Sequence, residues 1–283
     1  METVIIQTLN GISFIAILSL IGVGLAVLLG MMGVINLAHG EFVMIGAYVV
    51  WSSNLFFHNF WIGLLAAVII VVILSLIIER LIIRQIYKRP LDTILATWGL
   101  GIVIREIAKL IFGKSDKMVT APFPGFSTIF GVSYSSYRLF VIVITIFIIF
   151  AVVLFFLKTD FGIRARAIIH NESMASALGV HTTRMNQFMF AFGAGLAGLA
   201  GALISPLYVN SAYMGLHWLV SSFFVVVIGG VGSILGPIGG ATIMGGSQGF
   251  VEYFMSPVVA KIVVLLIAII VVRIKPKGLF AQG

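Results

Sequence analysis

The chain has 283 residues, of which 61% are hydrophobic and only 9% are Asp, Glu, Lys or Arg, against about 45–50% and about 25% in an ordinary soluble domain. So little charge cannot cover a water-soluble globule, and the net +8 comes from basic residues gathered in short gaps between apolar runs, which makes nucleic acid a poor partner. The lack of cysteine excludes a disulfide framework, a thiolate metal site and cysteine catalysis.

Apolar runs of about 20 residues, long enough to cross a hydrocarbon layer as helices, predict passages at 3–30, 41–57, 61–79, 93–112, 138–157, 186–206, 218–235, 237–254 and 257–273. The fold expected is all-α: a polytopic transmembrane helical bundle of eight to nine spans with interrupted helices, in one domain over 1–283. The start, Met1-Glu2-Thr3, has no basic stretch or cleavage signature, so the first run is expected to remain in the mature chain. Three basic gaps, around Arg80, Arg84, Lys88 and Arg89, around Lys158, Arg164, Arg166 and Arg184, and around Arg273, Lys275 and Lys277, fit one cytoplasmic face that includes the C-terminus. Nine passages then put the N-terminus, 113–137 and 207–217 outside; a re-entrant half-helix at 41–57 would reduce the count to eight and move the N-terminus inside.

Within these runs, Gly30-Met-Met-Gly33-Val-Ile35-Asn36-Leu-Ala-His39-Gly40-Glu41 is a break with glycines and polar side chains. Asn36 suits the N-cap of a restarting helix, and Glu41 suits either the helix N-terminus or a transport role. Arg105, Glu106 and Lys109 lie in the fourth run. Glu106 and Lys109 are spaced to pair, while Arg105 and Lys109 can reach outward, which favours a structural role. Gly113-Lys114-Ser115 resembles the end of a phosphate-binding loop, but Ala108 stands where its first glycine belongs. The longest polar gap, 158–185, reads as a helix of about seven residues between Asn171 as N-cap and Gly179 as stop. Its apolar side, Met174, Ala175 and Leu178, suits either a groove on a partner or the chain's own helix ends.

Further on, Gly193, Ala197 and Gly201 form a small-residue face, with Ala194 and Gly198 beside it, so Gly193-Ala-Gly195-Leu-Ala-Gly198 is a packing surface rather than a dinucleotide motif. A second break, Gly229-Gly230-Val-Gly232-Ser-Ile234-Leu-Gly236-Pro237, repeats the first at a displacement of 199: Gly30, Gly33, Ile35, Gly40 and Gly46 fall on Gly229, Gly232, Ile234, Gly239 and Gly245. Paired interruptions are the sequence sign of a translocation route, with Asn36, His39, Glu41, Gly229, Gly230, Gly232 and Gly236 as its candidate lining; close helix packing is the alternative. Gly245-Gly-Ser247-Gln-Gly249 imitates a nucleophile elbow in an apolar helix with no strand before it, and Glu252 and Lys261 flank a turn at Ser256-Pro257 as interfacial charges. No catalytic or metal-binding set emerges.

Several stretches together resemble the branched-chain amino-acid and urea type permeases of ABC importers: Ile35-Asn36-Leu-Ala-His39-Gly40-Glu41-Phe42, Arg89-Pro90-Leu91, Phe161-Gly162-Ile-Arg164-Ala-Arg166-Ala167, Met174-Ala-Ser-Ala-Leu178-Gly179, Val227-Ile-Gly229-Gly-Val-Gly232 and Pro276-Lys-Gly278-Leu-Phe280. The resemblance implies an inner-membrane permease subunit that is not an enzyme and binds no cofactor. ATP is bound by two cytoplasmic ABC ATPases, and the other partners are a homologous second permease, a periplasmic or lipid-anchored solute-binding protein and membrane lipid. It also implies that 158–185 carries the helix seated on an ATPase, through Gly162, Arg164, Arg166, Glu172, Met174, Ala175, Leu178 and Gly179. Arg89–Gly99 and Lys275–Phe280 look more like the urea and short-chain-amide branch. The expected substrate is accordingly urea or a short amide, with branched-chain amino acids as the alternative and a carrier working without ATPases as a remote one.

Overall fold

Among the described residues, nine long helices stand where the nine apolar runs are. The computed structural model describes residues 2–87, 89–129, 131–275 and 278–280, so Lys88, Pro276 and Lys277 of the expected basic gaps and family motifs lie outside the described residues. In chain order the helices are α1 (Glu2–Met32), α2 (His39–Phe57), α3 (Phe60–Leu81), α4 (Pro90–Phe112), α5 (Ser136–Lys158), α6 (Asp160–His170), α7 (Glu172–Ala177), α8 (Thr182–Ile204), α9 (Met214–Gly229), α10 (Gly236–Phe254) and α11 (Pro257–Ile274). Glu2–Gly30, α3, α5 and α8 are long and apolar enough to cross a membrane on that ground alone. The seventh run begins and ends earlier than the expected 218–235, because Gly230, at φ 104°, stops the helix after Gly229.

The chain direction follows from the contacts. Tyr134 donates to Asn10 Oδ1 at 3.0 Å, Phe60 packs edge-on against Tyr137, and Lys117 and Asn210 exchange backbone hydrogen bonds of 2.9 Å. The start of α1, the α2–α3 turn, the segment 113–135 and the segment 205–210 therefore share one end, here the hairpin end. Its hairpin, β1 (Phe126–Ile129) and β2 (Val132–Ser135), pairs antiparallel with Phe126 opposite Ser135; the sequence reading expected no strand. At the other end, α6 folds back on α5, and Arg80, Arg84 and Arg184 face one cavity of about 810 Å³. The tail returns to this end, where Leu279 and Phe280 donate to the carbonyls of Ile228 and Gly229 at 2.8 and 3.0 Å. The basic gaps thus cluster at one end, as the expected topology requires.

The centre of the bundle is α8, packed on α1, α2 and α3 through its small-residue face. A methyl group on Gly201 would come within 1.9 Å of the Val43 carbonyl, and one on Gly46 within 2.1 Å of the Gly198 carbonyl. Backbone meets backbone here, the membrane form of tight helix association. Gly201→Ala should lower the thermal midpoint of the purified assembly by several degrees, since overpacking a close contact costs about 1–3 kcal/mol. Gly99→Ala, on a glycine with open space around it, is the matched control, and equal midpoints for the two variants would contradict this packing.

Candidate translocation site and coupling loop

The first break is an extended segment inside the bundle. α1 ends at Met32, Gly33 takes φ 62°, and residues 33–38 return toward the bundle centre before α2 begins at His39. His39 Nε2 lies 3.2 Å from the Ile21 carbonyl, so α2 starts well above the end of α1 and then runs to the hairpin end. Residues 33–57 thus return to the hairpin end, the path that nine passages require.

Non-helical backbone at such a depth needs partners. The Leu37 N–H donates to Thr97 Oγ1 on α4 at 3.1 Å, and Thr97 is fully buried, 3.3 Å from the Ile35 carbonyl. Asn36 Oδ1 accepts from the Ala38 N–H at 3.0 Å, while its backbone carbonyl accepts from His39. Asn36 therefore shapes the turn but is not the N-cap; that position is Ala38, which offers no capping side chain. Thr97 was not singled out as a site residue, because a threonine in an apolar helix gives no periodic signal.

His39 and Glu41 point to opposite sides of α2. His39 is completely buried against α1 at Ile21 and Gly24. Glu41 faces α4 and α9: it pairs with Arg105, and a methyl on Gly215 would lie 2.8 Å from its Oε2. Glu41 does stand in the first turn of α2, as its sequence position suggested, but its carboxylate is held by Arg105, which turns inward instead of reaching outward. Lys109 does pair with Glu106, at 2.7 Å, and also donates to the Tyr213 hydroxyl at 3.0 Å with its ammonium 4.5 Å from the Tyr213 ring centre. Asn36 Nδ2, His39 Nδ1, Glu41 Oε2 and Arg105 Nε are buried without a partner among the described residues, which concentrates unused hydrogen-bonding capacity around this break.

The second break closes on the first. A methyl on Gly30 would sit 2.9 Å from Cα and N of Gly232, so the two interrupted segments touch. Gly33 and Gly232, the pair related by the displacement of 199, both have positive φ (62° and 92°). Gly229 and Gly236 are pressed together, and the tail lies over them with Phe280 against Gly239. In this conformation the glycines line a contact rather than an opening.

The polar gap forms two helices. Thr159 Oγ1 caps α6 by accepting from Gly162 N–H at 3.2 Å. Gly162 permits the reversal onto α5, since a methyl there would be 1.9 Å from the Phe156 carbonyl, to which Arg166 also donates. Arg164 is exposed. Asn171 Oδ1 caps α7 by accepting from Met174 N–H at 2.9 Å, and Gly179 at φ 88° ends the turn that follows. The expected apolar side divides: Ala175 is 3% exposed and packs inward, while Met174 is 62% and Leu178 79% exposed. Beneath lies a cluster that sequence reasoning missed. Glu79, fully buried at the end of α3, accepts from Arg84 at 3.0 and 3.2 Å and from the Tyr87 hydroxyl at 2.7 Å. Burial, and then the adjacent Glu79, raise the Tyr87 hydroxyl above its ordinary value, so it remains a donor.

Residues 7–272 match the family described as branched-chain amino acid transport system / permease component. Similar proteins include the high-affinity branched-chain amino acid transport system permease protein LivH of Salmonella typhimurium, 27% identical over 98% of this chain and 95% of the relative. The corresponding protein BraD of Pseudomonas aeruginosa is 25% identical over the same shares. A probable branched-chain amino acid transport permease protein LivH of Methanocaldococcus jannaschii is 26% identical over 93% of this chain and 88% of the relative. No solved structure matches.

Proposed function

The chain belongs to the family of permease components of branched-chain amino acid transport systems, and on that premise we propose that it is a membrane subunit of an ABC importer for leucine, isoleucine and valine. It works as one permease domain over its whole length, beside a homologous second permease, two cytoplasmic ATPases that bind the nucleotide and an external solute-binding protein. The observation that carries the reading is the family match over 7–272; the similarity to branched-chain amino acid permeases favours those substrates over urea and short amides.

In the proposed cycle, ATP-driven closure of the ATPases moves α7, which lies with the loop 158–185, the C-terminus and the arginine-rich end on the cytoplasmic face. α7 stands on Ala175, while Met174 and Leu178 project from it; a capped turn with two exposed apolar side chains suits a shallow groove on a partner. The touching breaks at Gly30 and Gly232 form the constriction that opens and closes, and the polar groups of Asn36, Glu41 and Arg105 stand close above it.

The test is uptake by proteoliposomes holding the full assembly, supplied with the binding protein and ATP. Labelled leucine and valine should accumulate and urea and acetamide should not. Accumulation of urea alone would transfer the substrate reading to amides. Accumulation without the ATPases would make the protein a secondary carrier.

A further inference from the structure

We propose that a polar cavity within this subunit, between α1, α5, α9, α10 and α11 toward the hairpin end, binds the zwitterionic head of an amino acid in transit. The proposal rests on the amino-acid importer reading and adds a site to it. The cavity measures about 320 Å³ and gathers Arg138, Glu252 and Lys261 from three different helices, with His217 and Gln248 beside them.

Among the described residues none of these three charges is ion-paired. Arg138 donates to Asn10 Oδ1 at 3.3 Å, and Glu252 Oε1 accepts from Gln248 at 2.8 Å. Arg138 and Glu252 are half-buried, and Lys261 and His217 are exposed, so the cavity opens at the side of the bundle; ionisable side chains that face a membrane are costly and usually pair with one another or serve a passenger. Elsewhere this chain follows the first course: Glu41 holds Arg105 and Glu79 holds Arg84. Here two cations and one anion line a shared space and leave each other unpaired.

Their signs match one ligand chemistry. A carboxylate fits against Arg138 and Lys261, and an ammonium against Glu252. A neutral amide would meet none of these charges with its own. The remaining walls suit an aliphatic side chain: Phe14 and Trp218 face the cavity, and the adjoining groove between α9 and α11, about 420 Å³ and mostly apolar, shares His217, Gln248 and Lys261 with it. An amino acid held here would have its charges in the polar cavity and its branched end toward the groove.

The chain has no cysteine, so a single introduced thiol reports on this cavity alone within the subunit. His217→Cys and Gln7→Cys, two independent reporters on its walls, are made in the permease and assembled with its partners in proteoliposomes, without binding protein. Leucine should slow thiol labelling at both positions by about ten-fold, the effect of a charge-assisted contact. 4-Methylpentanoate, which lacks the ammonium, and isopentylamine, which lacks the carboxylate, should protect far less. Adding Glu252→Gln should remove the advantage of leucine over 4-methylpentanoate, and adding Lys261→Gln its advantage over isopentylamine. Absence of protection by leucine in vesicles whose wild-type counterpart, given binding protein, takes leucine up overturns the site and leaves the importer reading standing. Failure of the wild-type vesicles to take up leucine overturns both. Labelling that is free in detergent but blocked in phospholipid regardless of leucine assigns the cavity to a lipid head group and also overturns the proposal.

Discussion

Replacing Met174 and Leu178 together by Asp should reduce substrate-stimulated ATP hydrolysis by the assembled importer at least about ten-fold, because apolar interface anchors contribute roughly 2 kcal/mol each and every 1.4 kcal/mol is a factor of ten. Both side chains are largely exposed in this chain alone, 62% and 79%, so charging them leaves the fold of the loop intact. The helix remains capped by Asn171 and closed by Gly179. The assembly should be recovered with fewer ATPase subunits or with ATPases that no longer respond to loaded binding protein, and leucine uptake should fall with them. Ala175→Asp serves as the contrast: Ala175 is 3% exposed, so its replacement damages the loop itself and lowers the yield of permease. Unchanged stimulated hydrolysis in the Met174→Asp/Leu178→Asp variant, with permease and ATPases present in normal ratio, would remove the loop from the coupling role.

The spans were legible because burial in lipid selects for length and composition, and both are local properties. All nine apolar runs became helices, and the glycine faces of α8 foretold where backbones touch. The two breaks were also legible, down to the displacement that aligns Gly33 with Gly232, because only glycine occupies such positive φ angles freely. What the sequence could not disclose is direction around a helix between unlike neighbours. His39 and Glu41 are two residues apart and look like one polar cluster, yet α2 sends one toward α1 and the other toward α4 and α9. Tertiary pairing hid the rest. Glu79 was overlooked because Arg84 was read only as part of a basic gap and Tyr87 was not singled out; Glu252 and Lys261 do flank the turn between α10 and α11, but the cavity they share with Arg138 is formed by residues more than a hundred positions apart. Asn36 failed as an N-cap for a related reason: the extended segment 33–38 is held by Thr97 of α4, and the helix restarts two residues later than local capping rules suggest.

Removing Arg105 should be among the most damaging single changes in the membrane interior. Glu41 is 2% exposed and Arg105 16%, and α4 packs on the rest of the bundle mainly through α2. The ion pair, the packing of Phe112 on Tyr48 and Trp51, at 4.7 and 6.1 Å between ring centres, and the Thr97 contact to Leu37 just before α2 are among the ties between them. Breaking a buried pair from one side leaves an uncompensated charge and costs about 3–5 kcal/mol. Arg105→Gln should therefore lower the thermal midpoint of the assembly sharply and abolish uptake, and Glu41→Gln should do the same by stranding the guanidinium. The double variant Glu41→Gln/Arg105→Gln has no stranded charge and can keep an amide–amide hydrogen bond, so it should regain most of the lost stability. Uptake then separates two roles for the pair. If it only fastens α4, the double variant transports as well as it folds. If Arg105 also meets the passing carboxylate, stability returns while leucine uptake stays low. A double variant no more stable than either single one would show that the pair is not the fastening of α4, and the unpartnered Nε of Arg105 and Oε2 of Glu41 would then need another explanation.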